Sequence, residues 1–237
     1  MNAEVKLSDR LKKIASFIQP GTHFADIGSD HAYLPCYVCL QDETIRAIAG
    51  EVRNGPFLRA KETVEHFQLE QRIDVRLGNG LEVIKHEDEV NTVVVAGMGG
   101  TLISNIIHEG REKLTSVNRL ILQPNTNSYV VRKTFIENKF SLIEEIILEE
   151  NHHIYEILVA EKNDTINVYN EKEEFDKQLL FGPILMKERS KTFIKKWQNE
   201  REKLHTIIEQ MEKASVRDEK KLAYFKRQLR WIEEVLI

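Results

Sequence analysis

The sequence predicts an α/β protein: a mostly parallel sheet covered by helices, closed by an antiparallel edge, with a helical hairpin appended at its C-terminal end. Three observations predict it. Short β-branched runs alternate with amphipathic helical stretches up to about residue 138, the pattern of repeated strand–helix–strand units. Several of these strands stop abruptly in glycine, acidic or amide residues, most tellingly within His23-Phe24-Ala25-Asp26-Ile27-Gly28-Ser29-Asp30-His31-Ala32-Tyr33-Leu34-Pro35, and ligands of parallel sheets sit beyond the carboxyl ends of strands. Beyond Gly182-Pro183 the periodicity becomes purely helical.

Taken in order, Leu7, Leu11, Ile14, Ala15 and Ile18 recur at helical spacing, and Pro20-Gly21 ends that helix. Residues 22–28 form the first strand. A second strand, 45–50, ends at Glu51; a helix spans 57–67; a third strand, 73–77, ends at Gly78-Asn79-Gly80. Residues 92–96 make the fourth strand, ending at Gly97-Met98-Gly99-Gly100, and a helix is expected over 101–114. The fifth strand, 119–122, ends at Gln123-Pro124-Asn125, and a helix follows over 128–138. Two β-rich runs, 141–149 and 154–161, flank Glu150-Asn151-His152-His153 and suggest an antiparallel pair at the sheet edge. The polar stretch 162–177 marks a boundary. The domain organisation expected is an α/β unit over 1–162, a connecting segment over 163–185 and a coiled-coil hairpin over 186–237. In the hairpin Phe193, Trp197, Leu204, Ile208 and Met211 share one face, Leu222, Phe225, Leu229, Ile232 and Leu236 share another, and the turn falls near Ser215.

Composition bounds the function. A chain of 237 residues with 41% hydrophobic and 30% charged residues has no apolar run near the roughly 20 residues of a membrane span, and its first residues lack an apolar leader core, so a cytoplasmic protein is expected. The net charge of −4 is unevenly distributed: residues 186–237 hold 14 Lys+Arg against 9 Asp+Glu, the remainder 20 against 29. A basic appendage on an acidic body suits nucleic acid. The pair Cys36 and Cys39 matches the C-x-x-C redox spacing, but it lies within the apolar run 33–40, where cysteines serve as buried hydrophobes, and no second pair completes a zinc site. His152 and His153 read as turn residues rather than metal ligands, and no metal site is expected. Trp197 and Trp231 read as core aromatics.

The strand ends narrow the ligand. Only Gly28 of a G-x-G-x-x-G dinucleotide fingerprint is present, acids follow it, and there is no G-x-x-x-x-G-K-[ST], so phosphates are disfavoured. A ligand with ribose hydroxyls and a cationic centre but no phosphate fits, and S-adenosylmethionine has that chemistry. Gly28 leaves room for close approach, Asp26 and Asp30 balance positive charge, Glu51 accepts from ribose hydroxyls, and Asn79 both donates to and accepts from an adenine edge. Gly97 to Gly100 leaves open backbone where the methyl group would lie.

Asp26-Ile27-Gly28-Ser29-Asp30-His31-Ala32-Tyr33-Leu34-Pro35, together with Gly50-Glu51-Val52, Gly78-Asn79-Gly80-Leu81, Ala96-Gly97-Met98-Gly99-Gly100 and Leu122-Gln123-Pro124-Asn125, resembles the bacterial tRNA adenine N1-methyltransferases that modify tRNA position 22. The resemblance spans residues 7–161, extends more loosely to the helical tail, and meets Asn79 where many relatives would carry Asp. It implies a Rossmann-like class I methyltransferase sheet, S-adenosyl-L-methionine as donor and tRNA as partner, in a monomer or weak homodimer. On the matching positions the expected cofactor-binding residues are Asp26, Gly28, His31, Tyr33, Leu34, Glu51, Val52, Gly78, Asn79, Gly80, Gly97, Met98 and Gly99. The catalytic candidates are Asp30, His31, Gln123 and Asn125. Asp30 and His31 orient the base or accommodate its charge, with a cofactor-positioning or turn role as the alternative for His31. The loop Gln123-Pro124-Asn125 is loosely similar to the [DNS]-P-P-[YFW] loop of other adenine methyltransferases, without its second proline and aromatic. The hairpin cations Lys187, Arg189, Lys191, Lys195, Lys196, Lys220, Lys221, Arg227 and Arg230 are expected on the RNA backbone; the alternative is a hairpin that packs on the sheet or dimerises. Two other readings stand beside this one: a methyltransferase acting on rRNA, a protein or a small molecule, and a non-catalytic, cofactor-binding RNA adaptor.

Overall fold

The computed structural model describes residues 5–162, 168–169, 172–214 and 216–237. Helix α1 (Asp9–Ala15) precedes β1 (His23–Ile27), α2 (Tyr33–Gln41), β2 (Arg46–Glu51), α3 (Asn54–His66) and β3 (Ile73–Leu77). Then come β4 (Thr92–Gly99), α4 (Gly100–Glu109), β5 (Arg119–Thr126), α5 (Ser128–Glu137), β6 (Ser141–Glu150) and β7 (His153–Glu161). Four helices follow: α6 (Lys172–Phe181), α7 (Pro183–Glu188), α8 (Lys191–Lys213) and α9 (Glu219–Leu236).

The seven strands form one sheet in the order β3-β2-β1-β4-β5-β7-β6. Strands β1 to β5 pair in parallel, and β7 runs antiparallel between β5 and β6. Because the sheet is covered on both faces, its central strands are apolar throughout rather than alternating. Alternate side chains nevertheless enter different cores: Phe24, Ala47, Ala49, Val94 and Ile121 pack with α1, α2 and α3, while Ala25, Ile27, Ile48, Val93, Val95, Leu120 and Leu122 pack with α4 and α5. The strand order reverses between β1 and β4, which opens a crevice at their carboxyl ends.

Several boundaries differ from the sequence reading. The apolar run 33–40 is helix α2, on which Cys36 and Cys39 are buried free thiols; burial pushes them up to about 12 and about 11, away from redox reactivity. Strand β4 continues through Gly97 and Gly99 with register shifts on either side of Met98, because β5 also continues and keeps pairing with it. The helix expected over 101–114 ends at Glu109, and a short 3-10 turn, Arg111–Leu114, follows. Asn151 and His152 take left-handed conformations (φ 50° and 64°), making the two-residue turn that joins β6 to β7. Of the connecting segment, 163–167 and 170–171 lie outside the described residues, but α6 and α7 are packed elements with Leu179, Phe181 and Leu185 buried. The turn expected at Ser215 likewise falls on a residue outside those described. Helices α8 and α9 pack side by side through Trp197, Leu204, Ile232 and Val235, and Lys226 pairs across them with Glu212 at 2.5 Å. Among the described residues no helix is long and apolar enough to cross a membrane.

A buried ion cluster joins these helices to the sheet. Arg132 of α5 is fully buried and donates to Glu145 of β6 (2.6 Å), to Glu156 of β7 (2.8 Å) and to the Leu179 carbonyl of α6 (3.1 Å). Lys196 of α8 donates to the same Glu156, and Glu145 accepts from the Ile184 N–H of α7 (2.8 Å). Burial alone would raise the Glu156 carboxyl, but Lys196 and Arg132 outweigh it and hold it at about 2. Gly182 is required beside this cluster: its φ is +88°, and a β-carbon there would lie 2.5 Å from an Arg132 guanidinium nitrogen. Replacing Arg132 by Ala leaves Glu145 buried without a cation and Glu156 with Lys196 alone, so Arg132→Ala is expected to lower unfolding free energy by about 3–5 kcal/mol. Lys133→Ala, which removes only an exposed i,i+4 pair with Glu137, should cost about 0.5 kcal/mol or less; denaturant titration of both variants checks the contrast.

Candidate functional site

The site is built where β1, β2, β4 and β5 end. Beyond Ile27 the chain turns at Gly28 (φ +72°), and the N–H groups of Gly28 and Ser29 both donate to the Gly50 carbonyl of β2 (2.9 and 3.2 Å). Asp30, His31 and Ala32 then adopt left-handed conformations in succession, with φ of 45°, 69° and 58°. Each such residue costs about 1–2 kcal/mol, so the loop persists only because its surroundings hold it. Glu51, the last residue of β2, accepts the Asp30 N–H at 2.6 Å and is one of those restraints. The loop ends in α2, whose first residue Tyr33 stacks its ring on His31 (centroids 5.5 Å apart), while Leu34 points into the core. The Asp30 carboxylate is exposed and lies 3.4 Å from His31 Nε2.

The electrostatics are one-sided. Asp26 is buried, accepts the Ser29 hydroxyl at 2.6 Å, and is pushed up to about 7 by burial, with Glu51 and Asp30 adding to the rise. Burial also raises Glu51, against the lowering effect of the Asp30 N–H. Among the described residues neither acid has a Lys or Arg partner, so the crevice is acidic without a counter-ion. That donor set fits a cationic group and opposes a phosphate.

Two exposed apolar side chains stand beside it at neighbouring strand ends, Val52 after β2 (62% exposed) and Leu77 at the end of β3 (52% exposed). Large apolar groups left open at strand ends suit the faces of a flat ring. Leu77 escaped the sequence reading because it scans as the last ordinary residue of a strand. Gly78, Asn79 and Gly80 follow it, with the Asn79 N–H donating to Glu82 (3.3 Å) and the Asn79 side chain at the surface.

Across the crevice the β4 end is locked by amides. The Gly97 N–H donates to Gln123 Oε1 (3.0 Å), Asn125 Nδ2 donates to the Gly97 carbonyl (2.8 Å), and Gln123 Nε2 donates to Asn125 Oδ1 (3.1 Å). Gln123 is fully buried and also accepts from Arg10 Nη1, whose guanidinium lies 5.1 Å from the Tyr155 ring centre. Both amides expected at a substrate edge are thus engaged with the Gly97 peptide, and they act on the site by fixing that strand end. Arg10 went unnoticed in the sequence because it stands 113 positions from its partner. Met98 reaches across to the first loop: a β-carbon at Gly28 would lie 2.3 Å from Met98 Cε, so in this structure the space above Gly28 is filled by a thioether. Gly99 caps the start of α4.

A family model described as tRNA (adenine(22)-N(1))-methyltransferase matches residues 24–234. The chain belongs to the tRNA (adenine(22)-N(1))-methyltransferase family. It is 45% identical over 218 residues to the Bacillus subtilis (strain 168) tRNA (adenine(22)-N(1))-methyltransferase, covering 92% of this chain and 91% of that protein. The crystal structure of the B. subtilis m1A22 tRNA methyltransferase TrmK superposes with a TM-score of 0.92 at 42% identity, covering 99% of this chain and 100% of that one. A Streptococcus pneumoniae relative solved in complex with S-adenosyl-L-methionine gives a TM-score of 0.85 at 39% identity, over 98% of this chain and 100% of that one. For a member of the tRNA (adenine(22)-N(1))-methyltransferase family, the strand order and the single antiparallel strand are those of a Rossmann-like class I methyltransferase sheet, as the sequence predicts.

Two predictions come from this geometry. Folding raises Asp26 from 3.8 to about 7, so the native state favours the protonated acid; that stabilisation is complete below about pH 4 and is lost as pH rises through about 7. The thermal stability of Asp26→Asn should therefore decline less steeply than that of the wild type between about pH 4 and 7, and parallel profiles would refute this. Arg10→Ala removes one restraint on Gln123, and exchange of the Gly97 amide with solvent should accelerate on the order of tenfold by NMR.

Proposed function

We propose that this protein transfers a methyl group from S-adenosyl-L-methionine to N1 of adenine 22 in tRNA. The observation that carries the reading is the unpaired acidic couple Asp26 and Glu51 beside Gly28, in a chain belonging to the m1A22 methyltransferase family. S-adenosylmethionine supplies an electrophilic methyl group on a cationic sulfonium. Asp26 and the loop 28–31 receive the cationic amino acid portion, and Met98 moves aside from Gly28. One Glu51 oxygen holds the Asp30 N–H, leaving the other for ribose hydroxyls. Val52 and Leu77 flank the adenine ring and Asn79 takes its edge, with Gly78 and Gly80 shaping that loop. His31, Tyr33 and Leu34 hold the turn that presents Asp30. Gly97 and Gly99 leave open backbone where the methyl group passes.

The acceptor nitrogen of neutral adenine already carries a lone pair, so alignment rather than a strong base governs the rate, and positioning can supply roughly 7–11 kcal/mol. The target base must leave its helix to expose N1. Asp30, exposed at the crevice mouth with His31 beside it, orients that base and balances the positive charge it acquires. Gln123 and Asn125 position the strand end beneath it. Residues 1–162 form the catalytic unit, 163–185 the connection and 186–237 the RNA-facing hairpin, in a cytoplasmic monomer or weak homodimer. Of the hairpin cations, Lys195 and Lys196 are tied to Glu149 and Glu156. Lys187, Arg189, Lys191, Lys220, Lys221, Arg227 and Arg230 make no ion pair among the described residues and are the ones left for the RNA backbone.

Mass spectrometry of nucleosides from tRNA incubated with the protein and S-adenosylmethionine should find N1-methyladenosine at position 22; cofactor binding with unmodified tRNA would instead support the RNA-adaptor reading. Glu51→Ala should weaken cofactor affinity by roughly 10–100-fold in calorimetry. Asp30→Ala should lower turnover by about 100-fold or more with cofactor affinity little changed.

A further inference from the structure

A cleft of 710 Å³ lies between the sheet and the helical pair, away from the acidic crevice. Asn125 and Asn127 wall it at the end of β5, His152 and His153 at the β6–β7 turn, Asn199 on α8 and Gln228 on α9. Its volume falls in the range of about 300–1,000 Å³ typical of sites for small organic groups. Two lysines border it, and both are neutralised: Lys196 by Glu156, and Lys203 by Glu200 at 2.7 Å. No free cation is therefore presented to a phosphate from the cleft wall among the described residues. Beside apolar side chains such as Ile154, Leu204 and Ile232, the lining carries amides and imidazoles, groups that both donate and accept and so match the edges of nucleobases. Gln228 donates to the Tyr224 hydroxyl (2.8 Å), which orients its amide, and Asn199 is exposed on α8. On the sheet side the His153 and Tyr155 rings, 6.3 Å apart, add aromatic surface. Trp197, which is 5% exposed, also lines the cleft, and its indole N–H has no acceptor among the described residues.

Asn125 belongs to both places: it lines the cleft and holds the Gly97 carbonyl. A strand whose adenine sits at the Gly97 end can therefore place a neighbouring nucleotide in the cleft beside Asn125. We propose that this cleft reads the base of a nucleotide flanking the methylated adenine, through hydrogen bonds from Asn199, Gln228 and His153 rather than through phosphate contacts. The inference rests on the methyltransferase reading above. It assigns the hairpin a base-reading inner face, distinct from its basic outer surface.

The test is steady-state methylation by the full chain and by an Asn199→Ala/Gln228→Ala double variant, whose substitutions lie outside the hydrophobic core. Each enzyme is assayed on native tRNA and on two tRNAs made abasic at one or the other nucleotide flanking adenine 22. The wild type should lose about tenfold in kcat/KM on one abasic tRNA, through KM. The double variant should lose about tenfold on native tRNA and nothing further on that abasic substrate, with unchanged cofactor affinity and Tm. Independent, additive losses, or no loss, would overturn the proposal. So would a shallower salt dependence of tRNA binding in the variant, by about 0.7–0.9 log unit per contact, which reports lost phosphate contacts instead. A wild type inert on every tRNA while still binding the cofactor would remove the methyltransferase reading itself, and this inference with it.

Discussion

The fully buried guanidinium of Arg132 is the interaction on which the relation between sheet and hairpin depends. A cation in that position is tolerable only when every face of it is matched, and it is met by two carboxylates from the antiparallel edge and a carbonyl from α6. The same carboxylates reach outward, Glu156 to Lys196 of α8 and Glu145 to the first N–H groups of α7. One charge thereby ties together α5, β6, β7, α6, α7 and α8. The distance between the β5 end and α8, and so the width of the cleft between them, follows from this clasp.

The crevice at the strand ends rests on the opposite arrangement. Asp26 and Glu51 are buried without a cation, and three successive left-handed residues are held open beside them. Both features oppose stability locally. They are sustained by short-range restraints, the Ser29 hydroxyl on Asp26 and the Glu51 carboxylate on the Asp30 N–H, and by the apolar strands behind them. A binding partner that brings positive charge relieves the first of these penalties, which couples affinity to the ionisation of Asp26. On the facing side the Gly97 peptide is held by amides that Arg10 steadies, so one wall is electrostatically primed and the other geometrically fixed.

The alternation of strands and helices was legible in the sequence because the strands are short apolar runs and most of the helices carry an apolar stripe; β3 is found at its expected limits. Boundaries set by pairing were less legible. Strand β4 runs past Ala96 because β5 continues beside it, and no local preference of Gly97-Met98-Gly99 announces that. The run 33–40 lacks amphipathic contrast because most of its faces are buried, which conceals the helix. Asp26, Gly28 and Glu51 stood out as residues of the wrong chemistry for a core. Leu77, Arg10 and the Met98–Gly28 contact did not, since each matters only through a neighbour that folding supplies.

By itself the sequence determined the class of sheet, the acidic and phosphate-averse character of the first strand end, and the helical nature of the tail, because all three depend on local periodicity or on the chemistry of single residues. Only the tertiary structure decided that Gln123 and Asn125 hold a peptide, that Arg132 and Lys196 are internal cations, and that a cleft carrying amides and imidazoles lies between the hairpin and the sheet. Those properties depend on which charges and donors find partners across tens of residues of chain. Pairing of that kind is a property of space, not of order along the polypeptide.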